Sequence, residues 1–300
     1  MLISKMRLFF KSVFIGMGQI FLCRNIITGI LFTIGILIGN FWCGLAAMLA
    51  AIVGTGTAYL LKYEMTEIKE GLYGFSAALT GVVLIFLFES TFLIWTLVVA
   101  GAILASLLQH YFIQRNIPVY TFPFIVTTWV IYFLVSKFGW AQLNLHETIS
   151  FKSQAAFVLV GTNGFGQVIF QEYFISGILF FIAVFISSPV AACSGLIASF
   201  AGGVVAFMLG YSLNDITSGT FGFNAVLSAI AFAGNKWSDI VWILIAVVIT
   251  LLIHFVLIFT QCLNEVGGVF TFPFVAGCWV TLSLKYGISK SKKINWLKKL

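Results

Sequence analysis

The sequence predicts an all-α polytopic membrane protein built from two homologous halves. Composition, a series of apolar blocks and an internal repeat carry that prediction. The 300 residues are 61% hydrophobic and only 8% charged, where soluble domains carry about a quarter charged residues. So little charge cannot cover a water-facing surface, which excludes a soluble enzyme, an extended disordered protein and a conventional nucleic-acid binder. The 33 Phe, 8 Trp and 9 Tyr against four Pro supply bulky packing groups and interfacial belts.

Polar residues cut the chain into apolar blocks near 7–22, 26–42, 44–61, 71–88, 91–109 and 118–136. A second series follows near 155–170, 174–190, 192–212, 219–234, 239–260 and 268–284. A helix needs about 20 residues to cross the hydrocarbon. The opening block of each series is short, and the closing blocks are broken by Pro123 and Pro273, so at least one block per series is expected to re-enter. A half-span persists in a bilayer only where protein or a water-filled path satisfies its backbone ends.

The two series are copies. A shift of 148 lays Gly16–Ile38 on Gly164–Ile186 without a gap, with ten of 23 positions identical, Gly18-Gln19 on Gly166-Gln167 among them. The same shift lays Gly71-Leu72-Tyr73-Gly74-Phe75 on Gly219-Thr220-Phe221-Gly222-Phe223, and Leu79 on Leu227. A shift of 150 lays Thr121-Phe122-Pro123-Phe124 on Thr271-Phe272-Pro273-Phe274, and Trp129 on Trp279. This is a tandem duplication of 1–150 into 151–300, and duplicated halves of transport proteins commonly surround a central path. Five full spans per half would turn the second copy upside down.

Charge placement sets the expected topology. The net charge is +7, with Lys5, Arg7 and Lys11 at one end and Lys285, Lys290, Lys292, Lys293, Lys298 and Lys299 at the other. Both clusters fit cytoplasmic anchors. The link 137–154, with Lys137 and Lys152 against Glu147, is less basic and is expected outside. No cleavable signal is expected, because Lys11 interrupts the first apolar run. The five cysteines show no CxxC and an odd total, so they read as packing residues rather than a disulfide or metal framework.

Three repeated constellations carry the chemistry. Gln19-Ile20 and Gln167-Val168 pair an uncharged amide with an apolar neighbour. Thr121 and Thr271 put hydroxyls beside Pro123 and Pro273, which in a helix would leave the carbonyls of Val119 and Val269 free. Phe75 with Leu79 and Phe223 with Leu227 form i, i+4 stripes that residue chemistry alone reads as packing. Arg24 and Glu172 are matched charges that border the Gln pairs. No acidic or histidine relay runs through a block, His110 and His254 do not match under the repeat, and no P-loop, GxSxG, HExxH or Cys/His cluster occurs. The expected solute is small and uncharged, its movement uncoupled, with no cofactor or metal.

The blocks Gly71-Leu72-Tyr73-Gly74-Phe75, Phe221-Gly222-Phe223-Asn224, Pro118 to Phe124, and Glu265-Val266-Gly267 followed by Thr271-Phe272-Pro273-Phe274 resemble the urea transporter family. So does Gly-x-Gly-Gln-Ile/Val near the start of each half. The resemblance runs from about 12 to 284 and is to the compact prokaryotic type. It implies two inverted halves, about ten transmembrane helices plus two re-entrant pore helices, homotrimers with one pore per subunit, and passive conduction of urea. It places Gln19 and Gln167 near the two mouths, with Ile20 and Val168 beside them. The slots flanking flat urea would be formed by Phe75, Leu79, Phe223 and Leu227, with Leu22 and Phe170. Thr121 and Thr271 would serve the constricted centre. Ser76 departs from the family's usual Asn, which the second half keeps as Asn224, and Leu22 makes one slot aliphatic. The competing readings are an ion-coupled secondary transporter and an ammonia or urea-analogue channel, with a membrane enzyme last.

Overall fold

A computed structural model describes residues 2–144 and 156–297. The first series is α1 (Leu2–Gln19), α2 (Ile26–Gly39), α3 (Phe41–Leu60), α4 (Met65–Lys69), α5 (Phe75–Leu87), α6 (Phe92–Ile113) and α7 (Phe122–Phe138). The second repeats that order as α8 (Ala156–Val168), α9 (Phe174–Ser187), α10 (Pro189–Met208), α11 (Leu213–Thr217), α12 (Phe223–Phe232), α13 (Trp237–Thr260) and α14 (Phe272–Leu297), with a 3₁₀ turn at Asn264–Val266. Among the described residues there is no strand, only an isolated bridge between Phe88 and Leu143. Most of the link expected outside, residues 145–155, lies beyond the described residues, as do Lys298 and Lys299.

The long apolar helices fall at matched places. α3, α6, α10 and α13 are each long and apolar enough to cross a membrane. The apolar helices α5 and α12, of 13 and 10 residues, come from the fourth block of each series, and α8, from an opening block, also spans 13. α5 is buried on every side from Phe75 to Ile85, and α12 from Phe223 to Ile230. An apolar helix wrapped all round by protein can end inside the fold without facing lipid. Its far end in the first copy is closed by Asn144, whose Nδ2 donates to the carbonyls of Ile85, Phe86 and Phe88 at 2.8–3.2 Å.

Backbone corners repeat with the residues. Left-handed φ occurs at Leu22 and Phe170, Gly71 and Gly219, and Tyr120 and Phe270. Gly71 packs its backbone on Gly16, and Gly219 packs on Gly164. A Cβ at either turn would collide with the neighbouring main chain. That contact explains why the glycines recur in the sequence.

The two copies meet reciprocally. Thr28 Oγ1 donates to Ala183 O at 3.0 Å, and Ser176 Oγ, the copy of Thr28, donates to Gly35 O, the copy site of Ala183, at 2.8 Å. Trp129 Nε1 donates to Gly268 O at 2.9 Å, and Trp279 Nε1 to Pro118 O at 2.6 Å. Ring pairs follow suit: Phe122–Trp279 against Trp129–Phe272, and Tyr120–Phe274 against Phe124–Phe270. On the axis itself a residue meets its own copy, Phe32 on Phe180 with ring centroids 5.4 Å apart and Thr121 on Thr271. Such exchange of identical contacts is the mark of a two-fold relation. Early residues of α2 touch late residues of α9 and the converse, so these two helices run antiparallel across the axis.

Candidate functional site

The corner after α1 positions the first glutamine. Gln19 is buried, and its Nε2 donates to the backbone carbonyl of Glu70 at 2.8 Å. The Glu70 carboxylate in turn accepts from Arg24 Nη1 at 3.1 Å, in an exposed ion pair. One amide end of Gln19 is therefore occupied by structure, leaving its oxygen for other work. Gln167 occupies the matching corner after α8 but is only half-buried, and it lines an open cavity. Sequence alone makes these two residues equivalent, but Gln19 is tied to a backbone carbonyl whereas Gln167 faces an open cavity.

Ile20 and Val168 are wholly buried beside them, as are Leu79 and Leu227, while Phe75 and Phe223 are buried nearly as deeply. Leu22 and Phe170 are partly buried on their left-handed corners. Phe170 is held by three rings, Phe86 at 5.5 Å, Phe270 at 6.0 Å and Phe124 at 6.2 Å. Two of those rings come from the first copy, so the second copy's aromatic slot is built by both. A cavity of about 390 Å³ brings together Gln167, Phe170, Phe223, Thr220, His254 and Phe86. On the other side of Phe86 and Phe170 lies a second space of about 390 Å³, lined by Gln171, Glu172 and Tyr173 among others. Glu172 thus stands at a recess beside the site, while Arg24 is tied to Glu70.

Thr121 and Thr271 meet at the centre. Their hydroxyl oxygens are 2.6 Å apart and both side chains are buried. The expectation that prolines break the closing helices is corrected here. Pro123 and Pro273 sit in the first turns of α7 and α14, where a missing N–H costs nothing. The chain breaks earlier, at left-handed Tyr120 and Phe270. Nor are the carbonyls of Val119 and Val269 free: each accepts from the N–H three residues on, Phe122 and Phe272, at 3.0 Å. The proline is a helix opener, and the hydroxyls rather than released carbonyls supply the central polarity.

Two polar groups beyond the candidate residues pack beside the stripes. Asn224 and His254 are fully buried with Asn224 Nδ2 3.0 Å from His254 Nδ1. In the sequence Asn224 stands in the Phe221-Gly222-Phe223-Asn224 block, and His254 is a lone histidine in the apolar run 239–260. In the first copy Tyr73 donates to Glu67 and lies 3.0 Å from His110 Nδ1, while Tyr63 stacks on the His110 ring. Burial, then the Glu67 carboxylate, hold the Tyr73 hydroxyl above its ordinary range. Among the described residues no group of His, Cys, Asp or Glu is arranged to hold a metal.

Comparison with known proteins bears on this geometry. The pattern that defines the urea transporter family matches residues 10–286. Urea transporter 1 of Rattus norvegicus is 28% identical over 236 residues, covering 73% of this chain and 61% of the relative. Urea transporter 1 of Ovis aries is 27% identical over 235 residues with the same coverage. The chain spans about three fifths of the length of these relatives.

Proposed function

This chain belongs to the urea transporter family, and from that premise we propose that it conducts urea passively across a membrane. The path runs where the halves 1–150 and 151–300 meet, with the second half inverted in the bilayer. The observation that carries the reading is the buried Thr121–Thr271 pair, set on the two-fold between the aromatic corners of both copies. Urea is planar, neutral and rich in N–H donors. A pore must replace the water it sheds with acceptors, and must exclude hydrated ions by a narrow apolar slot. Gln19 and Gln167 offer amide oxygens toward the two ends, beside Ile20 and Val168. The stripes Phe75–Leu79 and Phe223–Leu227, with Leu22 and Phe170, offer the flat apolar walls, and the threonines the central hydroxyls. Hydroxyl and amide groups bind weakly, which suits rapid exit. The family resemblance also supports a homotrimer in which each subunit holds its own pore, embedded in membrane lipid and doing no catalysis. The basic termini support a plasma-membrane orientation with both ends cytoplasmic.

The test is uptake of labelled urea by proteoliposomes of the purified protein, with and without an imposed proton or sodium gradient. Urea that equilibrates at a rate indifferent to either gradient is the expected result. Accumulation of urea against its own gradient would replace the channel with a coupled transporter.

A further inference from the structure

Asn224 spends every hydrogen-bonding atom of its amide. Its Oδ1 accepts from Phe274 N–H at 3.1 Å, and its Nδ2 donates to Phe270 O at 3.0 Å. Those two backbone partners fix which end of the amide is nitrogen, so the remaining Nδ2 hydrogen points to His254 Nδ1, 3.0 Å away. His254 Nδ1 is then an acceptor without a proton, and the neutral ring carries its proton on Nε2. A doubly protonated ring would set one N–H against another. His254 is fully buried, and its Nε2 has no hydrogen-bond partner. A buried donor without an acceptor is costly, and each instance calls for an explanation. This one belongs to a residue in the wall of the cavity that also holds Gln167, Phe170 and Phe223, and the Phe223 ring meets the imidazole edge-on at 5.7 Å.

The first copy carries an amide in place of the imidazole. There the matching contact between the short buried helix and its long neighbour is Ser76 Oγ to Gln109 Oε1 at 3.4 Å. Its own histidine, His110, is turned to Tyr73 and stacked under Tyr63. The two ends of the path therefore present different side chains at this contact, an amide at Gln109 and a fixed imidazole at His254.

Resting on the reading of this chain as a urea pore, we infer that the Nε2–H of His254 is a specificity-determining donor for the solute's carbonyl oxygen at the second-half end. Urea has four N–H donors but a single acceptor, and the threonine hydroxyls and glutamine oxygens already serve the donors. A fixed N–H in one wall engages the lone acceptor and orders the molecule with its oxygen toward α13. The class of solute favoured is the small neutral amide with a strong oxygen acceptor. Thiourea, with the same shape and a weakly accepting sulfur, is disfavoured.

The experiment compares urea and thiourea flux in proteoliposomes for wild type, His254→Asn and His254→Gln. An Asn side chain reaches as far as Nδ1 and keeps the bond from Asn224, but offers nothing at Nε2. A Gln side chain returns an amide N–H near Nε2. The Asn variant is expected to lower the urea-to-thiourea ratio about three-fold or more, with the Gln variant close to wild type. An unchanged ratio in a folded Asn variant overturns the inference, and so does an equal loss in both variants. If neither variant folds, ¹⁵N-histidine spectra of the wild type decide, with the other two histidines assigned through His110→Gln and His146→Gln. The His254 Nε2 signal should be protonated and should move on adding urea but not thiourea; a signal that stays still overturns the donor role. Wild-type protein that carries no urea would overturn the pore reading itself, whereas urea flux with an unchanged ratio overturns only this role of His254.

Discussion

Thr121 Oγ1 stands 2.6 Å from Thr271 Oγ1, so the two copies touch through the same hydroxyl. Each hydroxyl has one proton, and the pair shares one between them. One proton and the remaining lone pairs are left for a third party. Replacing both residues by Val keeps the shape and removes both partners together, a change that is nearly neutral for folding. A solute passing this point loses its polar contact, so urea flux should fall about ten-fold or more in Thr121→Val/Thr271→Val. Stopped-flow uptake on the double variant, with its melting temperature as the folding control, checks this. Unchanged flux would move the path elsewhere.

Gln19 and Gln167 should separate under the same substitution. Gln19→Leu leaves the half-buried carbonyl of Glu70 without its 2.8 Å donor, a loss of about 1 kcal/mol in stability. Gln167→Leu orphans no described partner and should lower flux with little thermal cost, since water at an open cavity substitutes for part of the amide. Thermal unfolding in detergent beside flux measures both effects; equal melting temperatures for the two variants would contradict the asymmetry.

Much of this arrangement was legible in residues alone. The duplication, the matched glutamines and the paired Thr-Phe-Pro-Phe blocks all follow from spacing, because a repeat is visible without knowing any contact. The chemistry of the prolines was not. A Pro in an apolar block reads equally as a kink or as a first helical turn, and only the left-handed Tyr120 and Phe270 decide between them. The partner of Gln19 was hidden for another reason. Glu70 lies 51 residues away and contributes its backbone, which no side-chain pattern records. His254 escaped because its match in the first copy is a Gln at a slightly different offset, so a fixed shift passes over it.

The reciprocal tryptophans should fail alike. Trp129→Phe and Trp279→Phe each keep most of the ring packing and each remove one N–H donor to a carbonyl of the other copy. Each should cost about 1 kcal/mol, read as nearly equal falls in melting temperature. A large loss in one and none in the other would mean that the two-fold contact is not shared energetically.

Topology offers an independent check. With the five native cysteines removed, Gln142→Cys and Lys285→Cys should react with a membrane-impermeant maleimide from opposite faces of the bilayer. Gln142 is exposed just past the end of α7, and Lys285 is exposed within α14. Labelling from one face would leave the halves parallel and dissolve the inverted arrangement.

The packing of Phe32 against Phe180 has a consequence for ancestry. A side chain that meets its own copy is what a homodimer makes at its symmetry axis, and an axial position in a homodimer is written by one codon. A half-length ancestor that paired with itself already satisfies this contact and the threonine contact without any new residue. Fusion of the two genes then releases each axial and reciprocal position from having to suit both subunits at once. Ser76 with Gln109 on one side, and Asn224 with His254 on the other, is a division of labour that no symmetric dimer can encode. Severed halves, co-expressed as two chains, would retain that freedom, whereas either half alone would be returned to the sameness from which the fused chain departed.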